Sequence, residues 1–339
     1  MVASEPSHRI FYYHDFSSAS DREGPWAQDS GQRAQSPEPG TPSFYPIAVS
    51  IRQLDRQLRA LKTLGYRFIT LSEAWDLRAS LTVRHKANNP PSRTITLSTD
   101  DGFVSNYSLL FPLLKHHRIP CTLFLIGKCI DNKALAWNHK WLIISRFADP
   151  SNLRRHLQKQ IEAFTLKPDK RLSVTFNSVR NKDKDILADL LWDLTMPLSQ
   201  NEFLVRYKPF LTIDQIRKMV SAGMELGSHS NSHLFCHRCS YEELRADFST
   251  SFDAIEALSR PRYRFLAYPY GHRPNPETEH RLKQDLNIKN LLGIGYATSD
   301  NRSNSVNWNR QPMEYSPLSN LKEFTLVPML RSIKRAVFQ

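Results

Sequence analysis

The chain has few cysteines, no long apolar run and no block of basic residues. Four cysteines in 339 residues do not make a disulfide scaffold, and they fit a reducing compartment. No stretch approaches the ~18 apolar residues of a membrane-spanning helix; pieces such as residues 141–144 are far shorter. The opening MVASEPSHRIFYYHDF carries Glu5 and lacks an apolar core, so it does not read as a secretory signal, and the cytoplasm is the expected location. Lys and Arg give a net charge of +13 but are scattered, with no interleaved aromatic stacking motif, so no nucleic-acid partner is expected. The charge can instead steer an acidic substrate or hold the chain near anionic headgroups.

What is present is core-forming material. The sequence is 40% hydrophobic and 23% charged, in the range of globular proteins, and its length suits two domains or one large one. Residues 17–45, rich in Ser, Pro, Gly and Gln without a period, read as a long loop. Ile51, Leu54, Leu58, Leu61 and Leu64 then fall at helical spacing, with Gly65 as a stop. YRFITL reads as a strand and Ser72-Glu73 as the opening of a helix. TITLS is a strand, NYSLLFPLLKHH a helix that Pro112 begins or kinks, and CTLFLIG another strand. Alternating strands and helices imply parallel pairing through right-handed crossovers.

The rhythm lapses over residues 131–210, where helical patterns such as DILADLLWDL dominate, and this stretch reads as a helical insertion. It divides the chain into residues 1–130 and 211–339, two halves of one α/β unit, a barrel or a large doubly wound sheet, the second ending in a C-terminal tail. The rhythm resumes with a helix capped by Thr212, the strand MELGS, a helix opened by Ser240 and Glu243 at capping-box spacing, and the strand candidates RFLAYPYG and LLGIGYAT. Leu244, Phe248, Phe252, Ile255 and Leu258 form the buried stripe of the Ser240 helix.

In such folds chemistry gathers at the C-terminal ends of the strands. TITLS runs into Thr99-Asp100-Asp101-Gly102, MELGS into His229-Ser230-Asn231-Ser232-His233, and RFLAYPYG carries Tyr268-Pro269-Tyr270-Gly271-His272. Adjacent carboxylates raise one another's pKa and resist burial, so the acid pair is either solvated or neutralised by a cation. His229 and His233 are either two surface residues or, one turn apart, joint ligands of a metal. Together they offer a two-histidine, one-carboxylate face with positions left for water and substrate, which suits metal-assisted hydrolysis.

These stretches resemble the NodB-type polysaccharide deacetylases, carbohydrate esterase family 4, which have a distorted (β/α) barrel. The family's T-F-D-D-G motif appears as Ser98-Thr99-Asp100-Asp101-Gly102, which keeps both carboxylates and the glycine but loses the phenylalanine, and H-S/T-x-x-H is intact at His229, Ser230 and His233. Members also often begin with a Tyr-His pair, here Tyr13-His14-Asp15. The resemblance covers about residues 8–128 and 211–300. It implies removal of an N-acetyl group from an amino-sugar glycan or a lipid- or nucleotide-linked glycoconjugate. Asp100 would be the general base, and Asp101, His229 and His233 the ligands of a divalent metal, zinc first, with cobalt or nickel as alternatives. The backbone N–H of Tyr270 would be an oxyanion donor, and His14, Tyr268 and Pro269 substrate contacts.

Two departures stand out. The family's R-P-P-Y motif reads Ala267-Tyr268-Pro269-Tyr270, so the arginine that would pair with the base is missing at its own place. This A-Y-P-Y-G form and the Y-H-D start resemble the poly-N-acetylglucosamine deacetylase branch. The family's late L-x-H motif has no match, which leaves His272 and His280 as candidate proton donors, with His272, next to Gly271, the preferred substitute. A binding protein that keeps the fold and has weak or no turnover is therefore the alternative. Cys236, His237 and Cys239 offer a structural zinc site or, more ordinarily, buried thiols. Trp137, Trp141, Leu142, Ile143 and Ile144 read as packing against the barrel, or else as a lid or membrane-surface contact.

Overall fold

The computed structural model describes residues 8–17, 48–83, 93–163, 171–295 and 308–313. Most of the expected 17–45 loop, the end of LLGIGYAT and the C-terminal tail lie outside the described residues. The strands are β1 (His8–Tyr13), β2 (Asp15–Ser17), β3 (Ala48–Ser50), β4 (Arg67–Phe68), β5 (Thr94–Thr99), β6 (Cys121–Leu125), β7 (Glu225–Ser228), β8 (Arg264–Ala267), β9 (Ile288–Ile294) and β10 (Asn309–Pro312).

Seven of these strands close a parallel barrel in the order β1-β10-β9-β8-β7-β6-β5, with β5 pairing back onto β1 from His8↔Thr94 to Tyr13↔Thr99. β4 pairs with the first two residues of β5 and β6 with the last three, so the two share one edge of β5. β2 and β3 form a separate parallel pair. Every residue of β5 and β6 is buried, as expected of parallel strands covered on both faces. Along β6 the period of two sorts the side chains. Phe124 packs with Ile10, Phe265, Ala267 and Leu292, whereas Leu123 and Leu125 pack outward against the surrounding helices.

The outer layer begins with α1 (Ile51–Thr63), α2 (Leu71–Val83) and α3 (Phe111–His117). Leu54, Leu58 and Leu61 are the buried stripe of α1, and Gly65 leaves it at φ 78, a backbone conformation that favours glycine. Thr70, one residue before α2, caps that helix, its hydroxyl accepting from the Glu73 N–H while Glu73 accepts from the Thr70 N–H. The expected Ser72 start is thus displaced, because the reciprocal box needs Thr and Glu three apart. Pro112 sits in the first turn of α3, which follows a wider helical turn at Asn106–Leu110.

Between β6 and β7 the chain builds α4 (Trp137–Phe147), α5 (Pro150–Ala163), α6 (Leu172–Ser178), α7 (Asn181–Thr195) and α8 (Gln200–Tyr207). Their shared core, with Trp137, Leu157, Phe176, Leu191 and Trp192, is continuous with Phe103, Ile126, Phe210 and Phe235 from the barrel. Then follow α9 (Ile213–Ser221), α10 (Tyr241–Glu256) and α11 (Pro276–Asp285). Thr212 with Gln215 and Ser240 with Glu243 form complete capping boxes, and Leu244, Phe248, Phe252 and Ile255 are buried on α10. Among the described residues no helix is long and apolar enough to cross a membrane.

Candidate metal centre and cleft

The strand ends of β5, β7 and β8 converge, and their loops bend sharply to aim side chains inward. Four non-glycine residues there lie in the left-handed region, Asp101 (φ 68), Ser230 (φ 62), His233 (φ 55) and Tyr270 (φ 57). Such conformations cost on the order of 1–3 kcal/mol each and persist where surrounding bonds enforce them. Here they do. Ser230 accepts from the His233 N–H at 2.7 Å, Asp247 from the Asn231 N–H at 2.8 Å, and the His233 carbonyl from the Trp137 indole N–H at 2.9 Å. Burial pushes the Asp247 carboxyl up to about 6.

Asp100, Asp101, His229 and His233 meet in one buried cluster. Asp101 Oδ1 lies 3.6 Å from Nε2 of both His229 and His233. Bonds of ~2.1 Å to one ion at a tetrahedral angle would put ligand atoms roughly 3.4 Å apart, so the spacing suits a shared cation. The atom types agree. His229 Nδ1 donates to the Ala267 carbonyl at 2.8 Å, which turns the Nε2 lone pair toward Asp101, and Asp101 Oδ1 is buried with no hydrogen-bond partner. A buried carboxylate oxygen facing the Nε2 lone pair of His229 is an arrangement that a cation between them would satisfy. Burial holds both histidines below their ordinary pKa, most strongly His233, which favours the neutral ligand form. Among the described residues this is the one His/Cys/Asp/Glu group with metal-binding spacing. Cys236 is a buried core thiol, and Cys239 accepts from the Asn181 side chain at 3.1 Å.

Arg310, on β10, was not singled out in the sequence. Its guanidinium grips Asp100 through both oxygens, at 2.5 and 2.8 Å, and is itself fully buried against the rings of Tyr12 and Phe124. Burial works to raise the Asp100 carboxyl, but the Arg310 charge, with His229, outweighs it and holds Asp100 below the usual carboxylate range. For Asp101 burial likewise pushes upward and is overcome by His139 and His233. β10 reads NRQP, a polar tetrad without a strand period, so only its closing position in the barrel reveals it.

The cluster opens into a cleft of about 500 Å³. Tyr12, His14, Tyr270 and His272 line it from the barrel side, and Trp137, Asn138, Trp141, Leu142 and Asn177 from the helices between β6 and β7. Trp141 stacks on Phe176 with ring centroids 4.2 Å apart, while Ile143 and Ile144 are buried, so this stretch faces the barrel and its cleft. The structure does not bring Tyr268 and Pro269 to the wall. Tyr268 is wholly buried with its hydroxyl donating to Glu279 at 3.3 Å, and Pro269 is buried beside it. The period of two along the strand turns Tyr268 into the core; Tyr12 lines the cleft instead.

Comparison with known proteins agrees with the fold and the motifs. The family model described as Polysaccharide deacetylase matches residues 87–290, well over half of the chain. The protein YxkH of Bacillus subtilis (strain 168), described under polysaccharide deacetylase, is 30% identical over 87 residues, 26% of this chain and 29% of that one. The chain therefore covers under a third of that relative's length. Three solved structures share the fold. They are the Streptococcus pyogenes deacetylase PplD in complex with acetate (TM-score 0.55, 15% identity, covering 94% of this chain and 98% of that one), a de-N-acetylase from Aggregatibacter actinomycetemcomitans (0.54, 16%, 94% and 99%) and IcaB from Ammonifex degensii (0.53, 16%, 91% and 91%). A closed parallel barrel with an acid pair and two histidines at its strand ends is a NodB-type barrel. The chain belongs to the polysaccharide deacetylase family.

Proposed function

We propose that the chain is a metal-dependent hydrolase that removes N-acetyl groups from an amino-sugar glycan or glycoconjugate. The observation that carries this reading is the meeting of Asp101 Oδ1 with the two imidazole Nε2 atoms, beside a second carboxylate already paired with an arginine. Asp101, His229 and His233 would hold the ion, zinc first and cobalt or nickel next. When bound, it supplies a water of lowered pKa, from ~15.7 to ~7, and a Lewis acid for the amide oxygen.

The remaining work falls to side chains. Asp100, kept ionised by Arg310, takes the proton of the attacking water. Arg310 has a second effect, bonding both Asp100 oxygens and so holding the base in one orientation beside His229. The Tyr270 N–H donates to the developing oxyanion, and His272, exposed at the cleft wall, protonates the leaving amine. His14 and Trp141 flank the sugar, the indole offering a flat apolar face. Arg310 supports turnover over the alternative of an inactive sugar-binding protein, since it restores by another strand the partner absent from Ala267-Tyr268-Pro269-Tyr270.

Acetate release tests the proposal. Chitooligosaccharides and nucleotide-linked N-acetylhexosamines, incubated with zinc- or cobalt-loaded protein, should yield free acetate. Binding of these sugars without acetate release from any of them would favour the non-catalytic reading.

A further inference from the structure

His139 lies in the first turn of α4, outside every motif discussed so far, and is buried to 2% exposure. Its Nε2 stands 3.2 Å from Asp101 Oδ2, the oxygen that does not face the histidine pair. Asp101, an ionised carboxylate, can only accept, so Nε2 carries the hydrogen and donates. Nδ1 then faces the Cys129 sulfur at 3.9 Å, and burial raises that thiol so that it keeps its proton to offer. The ring packs edge-on against Phe103, with centroids 5.3 Å apart, and tilted against Phe210 at 5.0 Å, contacts that favour this orientation. Two residues earlier, the Trp137 indole N–H holds the carbonyl of His233. One helical turn from the segment between β6 and β7 thus grips two of the three candidate ligands.

We infer that His139 is a positioning residue of the metal centre, which holds Asp101 Oδ2 so that only Oδ1 is presented to the ion. This inference rests on the metal reading of Asp101, His229 and His233. A carboxylate has two equivalent oxygens, and an unrestrained one can rotate to chelate through both. A donor on Oδ2 removes that choice, sets the ligand direction and leaves a position for water. The helices inserted between β6 and β7 are then part of the active centre as well as its wall.

The test measures metal binding, with no substrate present. Zinc affinity is read by competition with a chromophoric chelator for the intact protein, His139→Leu and His139→Gln, and the cobalt-loaded forms are compared by visible absorption. His139→Leu should lose about 10- to 100-fold in zinc affinity. Its cobalt bands should weaken as Asp101 turns to chelate and the coordination number rises. His139→Gln, which keeps an N–H donor, should stay within about threefold of the parent and retain its bands. If His139→Leu is not folded by circular dichroism, His139→Met takes its place. Equal affinity and an unchanged cobalt spectrum in the folded apolar variant would overturn the inference while leaving the metal centre standing. Failure of the unsubstituted protein to bind either metal would remove both together.

Discussion

Arg310 and Asp100 lie 210 residues apart in sequence and form a two-pronged buried ion pair. The pairing binds the last described strand of the barrel to the strand end that carries the acid pair, so the strand that closes the barrel also supplies the charge that keeps the candidate base ionised.

Removing the cation should be costly in two ways. Arg310→Met leaves the Asp100 carboxylate buried and unpaired, and stability should fall by about 3–5 kcal/mol in chemical denaturation. Asp100 is depressed in the folded state, so its pairing contributes stability above the unfolded carboxylate pKa and loses it as pH falls through the folded value. Without Arg310 that loss begins at higher pH, and the acid limb of kcat/KM should move upward. An unmoved acid limb in a folded variant would separate Arg310 from the base.

Asp100→Asn tests the base without touching the proposed ligands. Turnover should fall by about 100-fold or more, while zinc content by elemental analysis stays at the parental level. Loss of zinc along with turnover would instead make Asp100 a ligand.

Metal and stability should be linked. An ion that binds only the folded chain adds about 2.7 kcal/mol at a free concentration 100 times its Kd, which raises Tm by several degrees. Added zinc should therefore raise the melting temperature of chelator-stripped protein, and His229→Ala should abolish the shift. The same shift in both forms would place zinc elsewhere.

Trp141 should act on binding more than on chemistry. Its face is set by stacking on Phe176, and loss of an aromatic contact is worth about 0.5–1.5 kcal/mol. Trp141→Ala should raise KM roughly threefold to tenfold with kcat little changed. A fall in kcat with KM constant would count against a sugar platform.

Lys184 supplies a pH test inside the segment between β6 and β7. Its ammonium is buried among the rings of Trp137, Phe176 and Phe235, and it donates to the carbonyls of Phe176 and Asn177. Burial, with the Arg238 charge, lowers its pKa to about 7. Between that value and the unfolded one near 10.4, the unfolded chain binds the extra proton, so stability rises with pH by up to ~1.4 kcal/mol per unit. The stability difference between the parent and Lys184→Met should shift in the parent's favour from pH 7 to 10. A constant difference across that range would show an unperturbed lysine.

Local pattern carried much of this fold. The α1 stripe, the boxes at Thr212 and Ser240 and the apolar strands β5 and β6 declare themselves because each depends on neighbours within a few residues. The same holds for the motif residues, since Asp100 and Asp101 follow a buried strand and His229 and His233 follow another. The α2 cap lies at Thr70, two positions before Ser72, because both residues precede acceptable helix starts and only the Glu73 bond chooses between them.

By itself, then, the sequence determined which side chains could do chemistry and that they end parallel strands, for residue type and hydrophobic period are properties of short windows. Only the tertiary structure decided their partners. Arg310 reaches Asp100 because barrel closure seats β10 beside β1, and His139 reaches Asp101 because α4 packs over the strand ends. It also sent Tyr268 into the core and left Tyr270 on the cleft wall. A charge pair or a capped carboxylate depends on distance in space, and separations of 210 and 38 residues leave no periodic trace along the chain.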